Sequence, residues 1–593
     1  MNLRALRLRS RRLWRRRQIQ IEIISQNTGI QFEKNFLGRF NRLKSVWRFT
    51  TLWVMLFVLL GGCVVVQLSA LKNYYQTVQP VAGGIYTEGI QGSFTTANPI
   101  YAVNEVDSSV AKLLFASLLT YNDHNQLVGD LASSWQVNSL GTVYTVNLRP
   151  GLTWQDGQPL TAADVLFTYQ TIQDPDAQSP LFSSWQNVKV AQLNNLSVSF
   201  TLPNPLSSFP YSLTNGIIPK HILGSVNIAD LRSVNFNTSD PVGAGPFKWG
   251  SIGVSNDPNT PEEQISLLPF DGYWSGMPKL NSFTIDAFAS TNALVAAYQN
   301  GQVTAIVEPD SLPSTITSNA ANIVYNLPLT AGVYVFFKSS DPLFSDLSIR
   351  QALVDAANRS AIIQKLGYPA IAVNEPLLNN QLGYNAAYAQ ITNQPSLAVS
   401  KLNADGWLIK SDNFRYKGST PLAFTLTIPN ESEYLTVANT LAAEWKAIGV
   451  NVSIMPEQSL DFQSSLSSHQ YEAVLYGISI GVDPDVYVYW DSAQANLNST
   501  EPLNFSEYRS DVADAALEAG RTRLSVPIRI IKYQDFLQAW QQDTPALALY
   551  QPRLMYVSHV TIYGLGTNQI NTDPDRYNNV QNWEIKTGWV TDK

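Results

Sequence analysis

Twenty-three consecutive residues without a charge, Phe49 to Leu71, set the first constraint on this 593-residue chain. The run reads FTTLWVMLFVLLGGCVVVQLSAL and is bounded by Arg48 and Lys72. A helix needs about 20 mainly apolar residues to cross the hydrocarbon layer of a bilayer. The flank before the run is basic, with Arg39, Arg42, Lys44 and Arg48, and basic flanks stay on the cytoplasmic side. The expectation is a basic cytoplasmic head (1–48), a transmembrane anchor (49–71), a tether (72–82) and a large extracytoplasmic body on a single-pass cell-membrane protein.

Charge supports that division. The head holds 13 Lys and Arg against two acids, Glu22 and Glu33, whereas the remainder carries 26 bases and 44 acids. A basic head on an acidic body points to two compartments. An acidic body lacks the cationic face that nucleic acid demands. The Arg-rich stretch Arg4 to Arg17 is read as a topology signal with a disordered tail, and contact with anionic lipid or nucleic acid is its alternative. The single cysteine, Cys63, rules out an internal disulfide and a zinc site built on several thiolates. Leu60-Gly61-Gly62-Cys63 resembles a bacterial lipobox, which makes lipidation at Cys63 the alternative to an uncleaved anchor. Simple cleavage is a third reading, but Ala-x-Ala is absent and the head is long for a signal peptide.

The body reads as helix and strand in alternation, a mixed α/β pattern. Tyr144, Val146 and Leu148 alternate with Thr145 and Asn147 as a strand. Thr161-Ala-Ala-Asp164 has the spacing of a capping box. Asn292 to Asn300 reads as a helix stopped by Gly301, with Val303 to Val307 as the next strand. Val437, Leu441, Trp445 and Ile448 share one helical face, Gly449 ends that helix, and Val450, Val452 and Ile454 alternate as a strand.

A series of landmarks then appears in order. Leu131-Ala-Ser-Ser-Trp135 precedes Tyr144 to Arg149, and Leu152-Thr-Trp-Gln-Asp-Gly-Gln-Pro-Leu-Thr161 leads into Ala163-Asp-Val165. Val242 to Lys248, Asp271-Gly-Tyr-Trp274 with Gly276 and Pro278, Phe344 to Ala357 with Ile349-Arg-Gln-Ala352, and Tyr508-Arg-Ser-Asp511 follow. From about Gly83 to Tyr556 the body resembles the family 5 solute-binding proteins, the oligopeptide, dipeptide and nickel binders of bacterial ABC importers. The resemblance implies a mixed α/β, two-lobe periplasmic-binding-protein-like fold of type II, in the cluster with an extra subdomain. Lobe I would be 83–118, 243–333 and 551–593, the extra subdomain 119–242, and lobe II 334–550. Crossovers are expected near Val333-Tyr334 and Leu549-Tyr550, with ligand closing the cleft. Trp135 and Trp274 are read as core anchors. Gly157 and Gly245 are read as turn positions of positive φ.

The same resemblance implies an extended peptide ligand held by backbone strand addition. The segments it points to are Asn104-Glu105-Val106, read as a strand edge, and Tyr476-Gly477-Ile478-Ser479, with Gln458 and Tyr550 alongside. The family's peptide binders place an acid shortly before an Asp-Pro step, where it meets the peptide's amine. Here Asp483-Pro484 follows Gly477 to Val482, which holds no acid, so Glu105, Asp483 or Asp485 substitutes, or the ligand has no free amine there. The expected partners are ABC permease subunits, a peptide or similar small solute, and the membrane through the N-terminal helix. The ectodomain is expected to be monomeric, without cofactor or metal and without catalysis. His124, His221, His469 and His559 are scattered without metal-ligand spacing, and no Walker loop or His-Glu-x-x-His is present. Asp511 and Asp514 read as a solvated helix face. The alternative function is a solute-sensing receptor, or a binder of a sugar or metal chelate on the same fold.

Overall fold

The computed structural model describes residues 47–591 apart from 256, 258–259, 308–311, 314–315, 317–318, 500 and 567–568. Arg4 to Arg17 and the basic flank at Arg39, Arg42 and Lys44 lie outside the described residues. Two units divide the chain, residues 1–79 with 587–593, and residues 80–586.

The first unit contains the helix Trp47–Tyr75. Its stretch Trp47–Ser69 has a mean hydropathy of 2.4, and none of it is buried. Leu52, Val54, Phe57, Leu59 and Val65 are all exposed. An apolar surface on every side of a helix calls for lipid rather than water, so this helix is a candidate membrane anchor. Cys63 lies on it, exposed.

The second unit is built on three main sheets. The first has seven strands, ordered in space as Ile323–Pro328, Arg553–Ser558, Ala305–Val307, Ile85–Gln91, Ser282–Phe288, Glu263–Pro269 and Phe247–Val254. Ile85–Gln91 is parallel to both of its neighbours. The helix Thr291–Gln299 links two of these parallel strands, capped by the Ser290 hydroxyl at Ala293 N–H. The second sheet has six strands, ordered Ile371–Ala372, Ala546–Gln551, Ala331–Phe337, Ala473–Ser479, Ala423–Pro429 and Asn451–Glu457. Its strand Ala331–Phe337 is buried at every position. Val333, Val335 and Phe337 enter one core with Val437 and Trp445, and Tyr334 and Phe336 enter another with Trp490 and Trp540. Burial on both faces explains its unbroken apolar run. The third sheet is antiparallel, ordered Ala132–Val137, Val143–Leu148, Ser197–Thr201 and Lys189–Asn194.

The chain passes from the seven-stranded to the six-stranded sheet between Pro328 and Ala331, and returns at Pro552. The two passages are tied where Leu329 N–H donates to the Pro552 carbonyl at 2.9 Å. The capping box at Thr161 and Asp164 forms as its spacing predicts. Two expectations change. Gly157 has φ of 85°, but Gly245 is not left-handed; a Cβ there would lie 2.6 Å from the Leu114 carbonyl carbon, so close approach is its reason. Trp274 is not a core anchor: it is 36% exposed, with the Arg149 guanidinium 3.8 Å above its ring and its Nε1–H donated to Asp130 at 2.7 Å. Trp135 is only half-buried.

The C-terminal turn Asp573–Tyr577 is fastened to the strand Ile85–Gln91 and the helix Glu105–Leu114 by a buried arginine. Arg576 Nη2 donates to Glu88 Oε1 at 2.7 Å and Nη1 to Glu105 Oε1 at 2.8 Å. The Tyr556 hydroxyl donates to Glu88 Oε2 at 2.5 Å, and Tyr577 donates to the other oxygen. Arg576 and Glu88 have no exposed side-chain surface. Removing one partner of such a pair strands the other charge, at a cost of roughly 3–5 kcal/mol. Arg576→Met should lower the unfolding free energy by that amount in urea titrations, and Arg576→Met with Glu88→Gln should recover part of the loss.

Glu375 is a second buried carboxyl, in the segment after Ile371–Ala372. Asn385 N–H donates to its Oε1 at 3.2 Å, while Oε2 has no partner. Burial pushes its pKa up from 4.5 to about 8. A raised folded pKa gives stability that is complete below about pH 4.5 and lost as pH rises through about pH 8. Glu375→Gln keeps the neutral form at all pH. Thermal unfolding of the two proteins should coincide in acid, and above about pH 8 the variant should be the more stable by roughly 5 kcal/mol.

Candidate functional site

The strand Ala473–Ser479 pairs with Ala331–Phe337 along its whole length. On its other side the parallel pairing with Ala423–Pro429 covers only Ala473 and Val474. Among the described residues, no strand lies beside that edge from Leu475 to Ser479. The chain leaves because Pro429 ends the neighbouring strand, and the helix Ser432–Ala447 follows. Unpaired backbone N–H and C=O groups must find other partners. Tyrosine hydroxyls stand there. The Tyr434 hydroxyl lies 3.1 Å from the position a Cβ on Gly477 would take, and the Gly477 backbone hydrogen-bonds it. The Tyr489 hydroxyl meets the Ser479 backbone, and burial pushes its pKa up to about 12.

Tyr476 and Ile478 face the core on which Tyr489 also packs, whereas Tyr434 packs on the other one. Tyr476 packs on Phe462 and Phe505, with centroids at 5.3 and 5.9 Å, and Ile478 is buried. Gln458 occupies the N-cap position of the helix Ser459–Ser467 without a side-chain capping bond and is exposed. Tyr550 is buried and donates its hydroxyl to Glu433 Oε1 at 2.8 Å, where Tyr368 also donates at 3.1 Å.

Asn104-Glu105-Val106 is a helix start and not a strand edge. Asn104 is the N-cap of the helix Glu105–Leu114, its Oδ1 accepting from Asp107 N–H at 2.8 Å and its Nδ2 donating to Asp107 Oδ2 at 2.8 Å. Capping outweighs the polar–apolar alternation, because the first helical turn leaves N–H groups that only a side chain or water can take. The signal was present as Asn104-x-x-Asp107. Val106 is buried.

Each of the three acids has an arginine. Glu105 is held by Arg576 at 2.8 Å, Asp483 Oδ1 by Arg529 Nη2 at 2.7 Å, and Asp485 Oδ2 by Arg521 Nη2 at 3.2 Å. Burial lifts the Glu105 pKa to about 7 against the pull of Arg576. Burial also raises Asp483, with Arg529 opposing. The Ser208 hydroxyl donates to Asp485 Oδ2 at 2.8 Å, and Ser207 donates its N–H and its hydroxyl to the Arg521 carbonyl at 2.8 and 2.9 Å. Ser207 and Ser208 precede Phe209–Thr214, beside the four-stranded sheet, so these contacts join that region to the six-stranded part. Next to them is a cavity of about 1160 Å³ lined by Trp185, Phe209, Tyr211, Tyr487, Arg521 and Leu524 among others. A smaller one, about 400 Å³, is lined by Lys112, Tyr121, Asp130, Tyr211 and Asp575 among others.

The structure thus has Tyr476 to Ser479, Asp483 and Asp485 on one stretch of chain and sets Glu105 at the start of the helix Glu105–Leu114, bonded to Arg576. Sequence reasoning missed Tyr434, Tyr489, Arg521, Arg529, Ser207 and Ser208. Only Arg529 carries a signal, as a lone cation in Val526-Pro-Ile-Arg-Ile-Ile531. The histidines stay apart. His221 pairs with Asp156, His469 is buried against Glu507, and His559 stacks on Tyr298 at 3.8 Å. Asp514 accepts from Ser492 N–H at 2.9 Å.

Comparison with known proteins agrees with this architecture. The oligopeptide-binding protein AppA of Bacillus subtilis is 26% identical over 529 residues, covering 86% of this chain and 94% of its own. Among solved structures, the ABC transporter substrate-binding protein CtaP of Listeria monocytogenes superposes with a TM-score of 0.72 at 24% identity, over 85% of this chain and 99% of its own. NikZ of Campylobacter jejuni, solved in complex with Ni(L-His), gives 0.68 at 23% identity, over 84% and 99%. The profile described as bacterial extracellular solute-binding proteins, family 5 Middle, matches residues 126–499. The two-lobe body, its open strand edge and this match place the chain in the bacterial extracellular solute-binding proteins of family 5.

Proposed function

We propose that this protein is the solute-capturing component of an ABC importer, held on the membrane by the helix Trp47–Tyr75, and that it takes an extended peptide between its lobes and passes it to a permease. The observation that carries this reading is the edge Leu475–Ser479, which has no strand beside it. A peptide laid there completes the sheet through backbone bonds that are indifferent to sequence. It displaces the Tyr434 and Tyr489 hydroxyls, which stand in for a strand at Gly477 and Ser479. Gly477 suits this role because a side chain would strike Tyr434. Tyr476 and Ile478 anchor the strand from its other face.

The acids set the ligand's charge. Glu105, Asp483 and Asp485 are each committed to an arginine, so none offers an ammonium an uncompensated carboxylate. A charged amine left without a counter-charge in a closed cleft costs several kcal/mol. The ligand therefore binds through its backbone, and its amino end contributes little. Calorimetry with tetra-alanine amide and its N-acetyl form should give affinities within a few fold of each other. One pK unit of coupling is about 1.4 kcal/mol, or roughly tenfold, which the assay resolves. A loss of about a hundredfold on acetylation, roughly two such units, would show that a carboxylate meets the amine after all.

A further inference from the structure

The helix Trp47–Tyr75 runs without a gap into the strand Gln76–Val81, and that strand pairs with Lys586–Thr591, the last strand described. Two segments far apart in sequence thus meet next to the candidate anchor. Gln76 to Gln79 and Thr587 to Thr591 belong to the unit that holds the helix.

Water on all sides suits this ribbon poorly. It has two strands, and a two-stranded ribbon alone is marginally stable in water. Each strand has an open edge among the described residues, and proteins guard such edges with charge, lysine above all. Here Lys586 is the one charged residue: Asn73 to Thr87 holds none, and neither does Thr587 to Thr591. Two apolar side chains of the ribbon stand open, Val78 at 56% and Trp589 at 52% exposure.

The helix sets what lies beside it. The apolar stretch ends at Ser69, and six further helical residues lead to Tyr75, a rise of about 9 Å. The polar layer of one leaflet is roughly 5–8 Å deep. With the helix as anchor, the ribbon starts where headgroups meet water, and tilt of the helix lowers it further. Tryptophan favours that layer, because its ring is apolar and its N–H can still be hydrogen-bonded there.

We infer that the ribbon is a second membrane contact, in which Trp589 and Val78 sit among the headgroups of the bilayer that the helix crosses. The partner is a lipid surface, engaged through its gradient of polarity and not through its charge, since the ribbon brings a single lysine. The inference rests on the anchor reading above and adds Lys586–Thr591 to the membrane attachment.

The test uses the full chain in phosphatidylcholine vesicles, with nitroxide labels on cysteine. In a Cys63→Ser background the labelled sites are Val78→Cys, Thr587→Cys and Ser251→Cys. Thr587 shares a strand face with Trp589, and Ser251, exposed in the strand Phe247–Val254, is the reference for water. Cys63 itself, labelled in the unaltered chain, reports the helix. Oxygen concentrates in lipid and a nickel chelate stays in water, so the ratio of their collision rates rises where a label meets lipid, whereas packing against protein lowers both. The ratio should be several-fold higher at Val78 and Thr587 than at Ser251, and Trp589→Ser should return the Thr587 value toward that of Ser251. Equal ratios at all three sites, with Cys63 in lipid, would overturn the inference and leave the anchor standing. A raised ratio that Trp589→Ser leaves unchanged would overturn it as well, since the indole would not be what holds the ribbon there. Dipolar broadening at Thr587 that fades on dilution with unlabelled chain would mean that a second copy covers the ribbon, and would also overturn it. A Cys63 label open to the nickel chelate would overturn the anchor and the inference together.

Discussion

A run of backbone without a strand beside it, inside a protein and not at its rim, is the constraint around which this structure is arranged. Ala473–Ser479 has a full partner in Ala331–Phe337 and only two residues of pairing with Ala423–Pro429. The neighbouring strand is turned away by Pro429 and the helix Ser432–Ala447. The gap is therefore built by the fold. The two hydroxyls at Gly477 and Ser479 satisfy it without closing it. The residues just after the strand meet the first passage between the sheets: Ile480 and Gly481 N–H donate to the Thr330 carbonyl at 2.8 and 3.0 Å. On the proposed reading, a ligand at the edge would lie close to a point where the lobes are joined.

Three carboxylates that the proposed reading sets around the ligand, Glu105, Asp483 and Asp485, are each paired with an arginine. Buried ion pairs of this sort add little net stability compared with apolar packing, but they fix geometry. Arg576 holds the C-terminal turn, Arg529 holds Asp483 to the helix Val526–Asp543, and Arg521 brings Asp485 to the Ser207–Ser208 loop. These three charges are used within the protein, and on the proposed reading the ligand would be recognised by backbone and shape.

Much of the body was legible before any coordinates. The strand Val143–Leu148, the helix Thr291–Gln299 and the helix Ser432–Ala447 with the strand Asn451–Glu457 fall within a few residues of where periodicity and capping put them. These are long, strongly patterned elements, in which local preference and burial agree. The site was less legible. Asn104-Glu105-Val106 was read from alternation over three residues, too few to outvote a cap at Asn104. Trp274 was assigned to the core by residue type, but Arg149 and Asp130 stabilise it at the surface. The pairs that set the charge of the cleft join residues 46 and 471 positions apart in Asp483–Arg529 and Glu105–Arg576. No local spacing reveals such pairs, because they exist only once the sheets have assembled.

Amide hydrogen exchange at Leu475 to Ser479, followed with and without saturating acetyl-tetra-alanine amide, addresses the open edge most directly. Hydroxyl partners on mobile side chains protect an amide less than a strand does. Binding should slow exchange at Leu475, Gly477 and Ser479, whose N–H groups point to the open edge, while Ala473, already paired with the neighbouring strand, and Tyr476 and Ile478, which donate toward Ala331–Phe337, change little. Unaltered exchange at Leu475–Ser479 in the presence of a peptide shown by calorimetry to be bound would mean that the ligand sits elsewhere, and would contradict strand addition as the mode of capture.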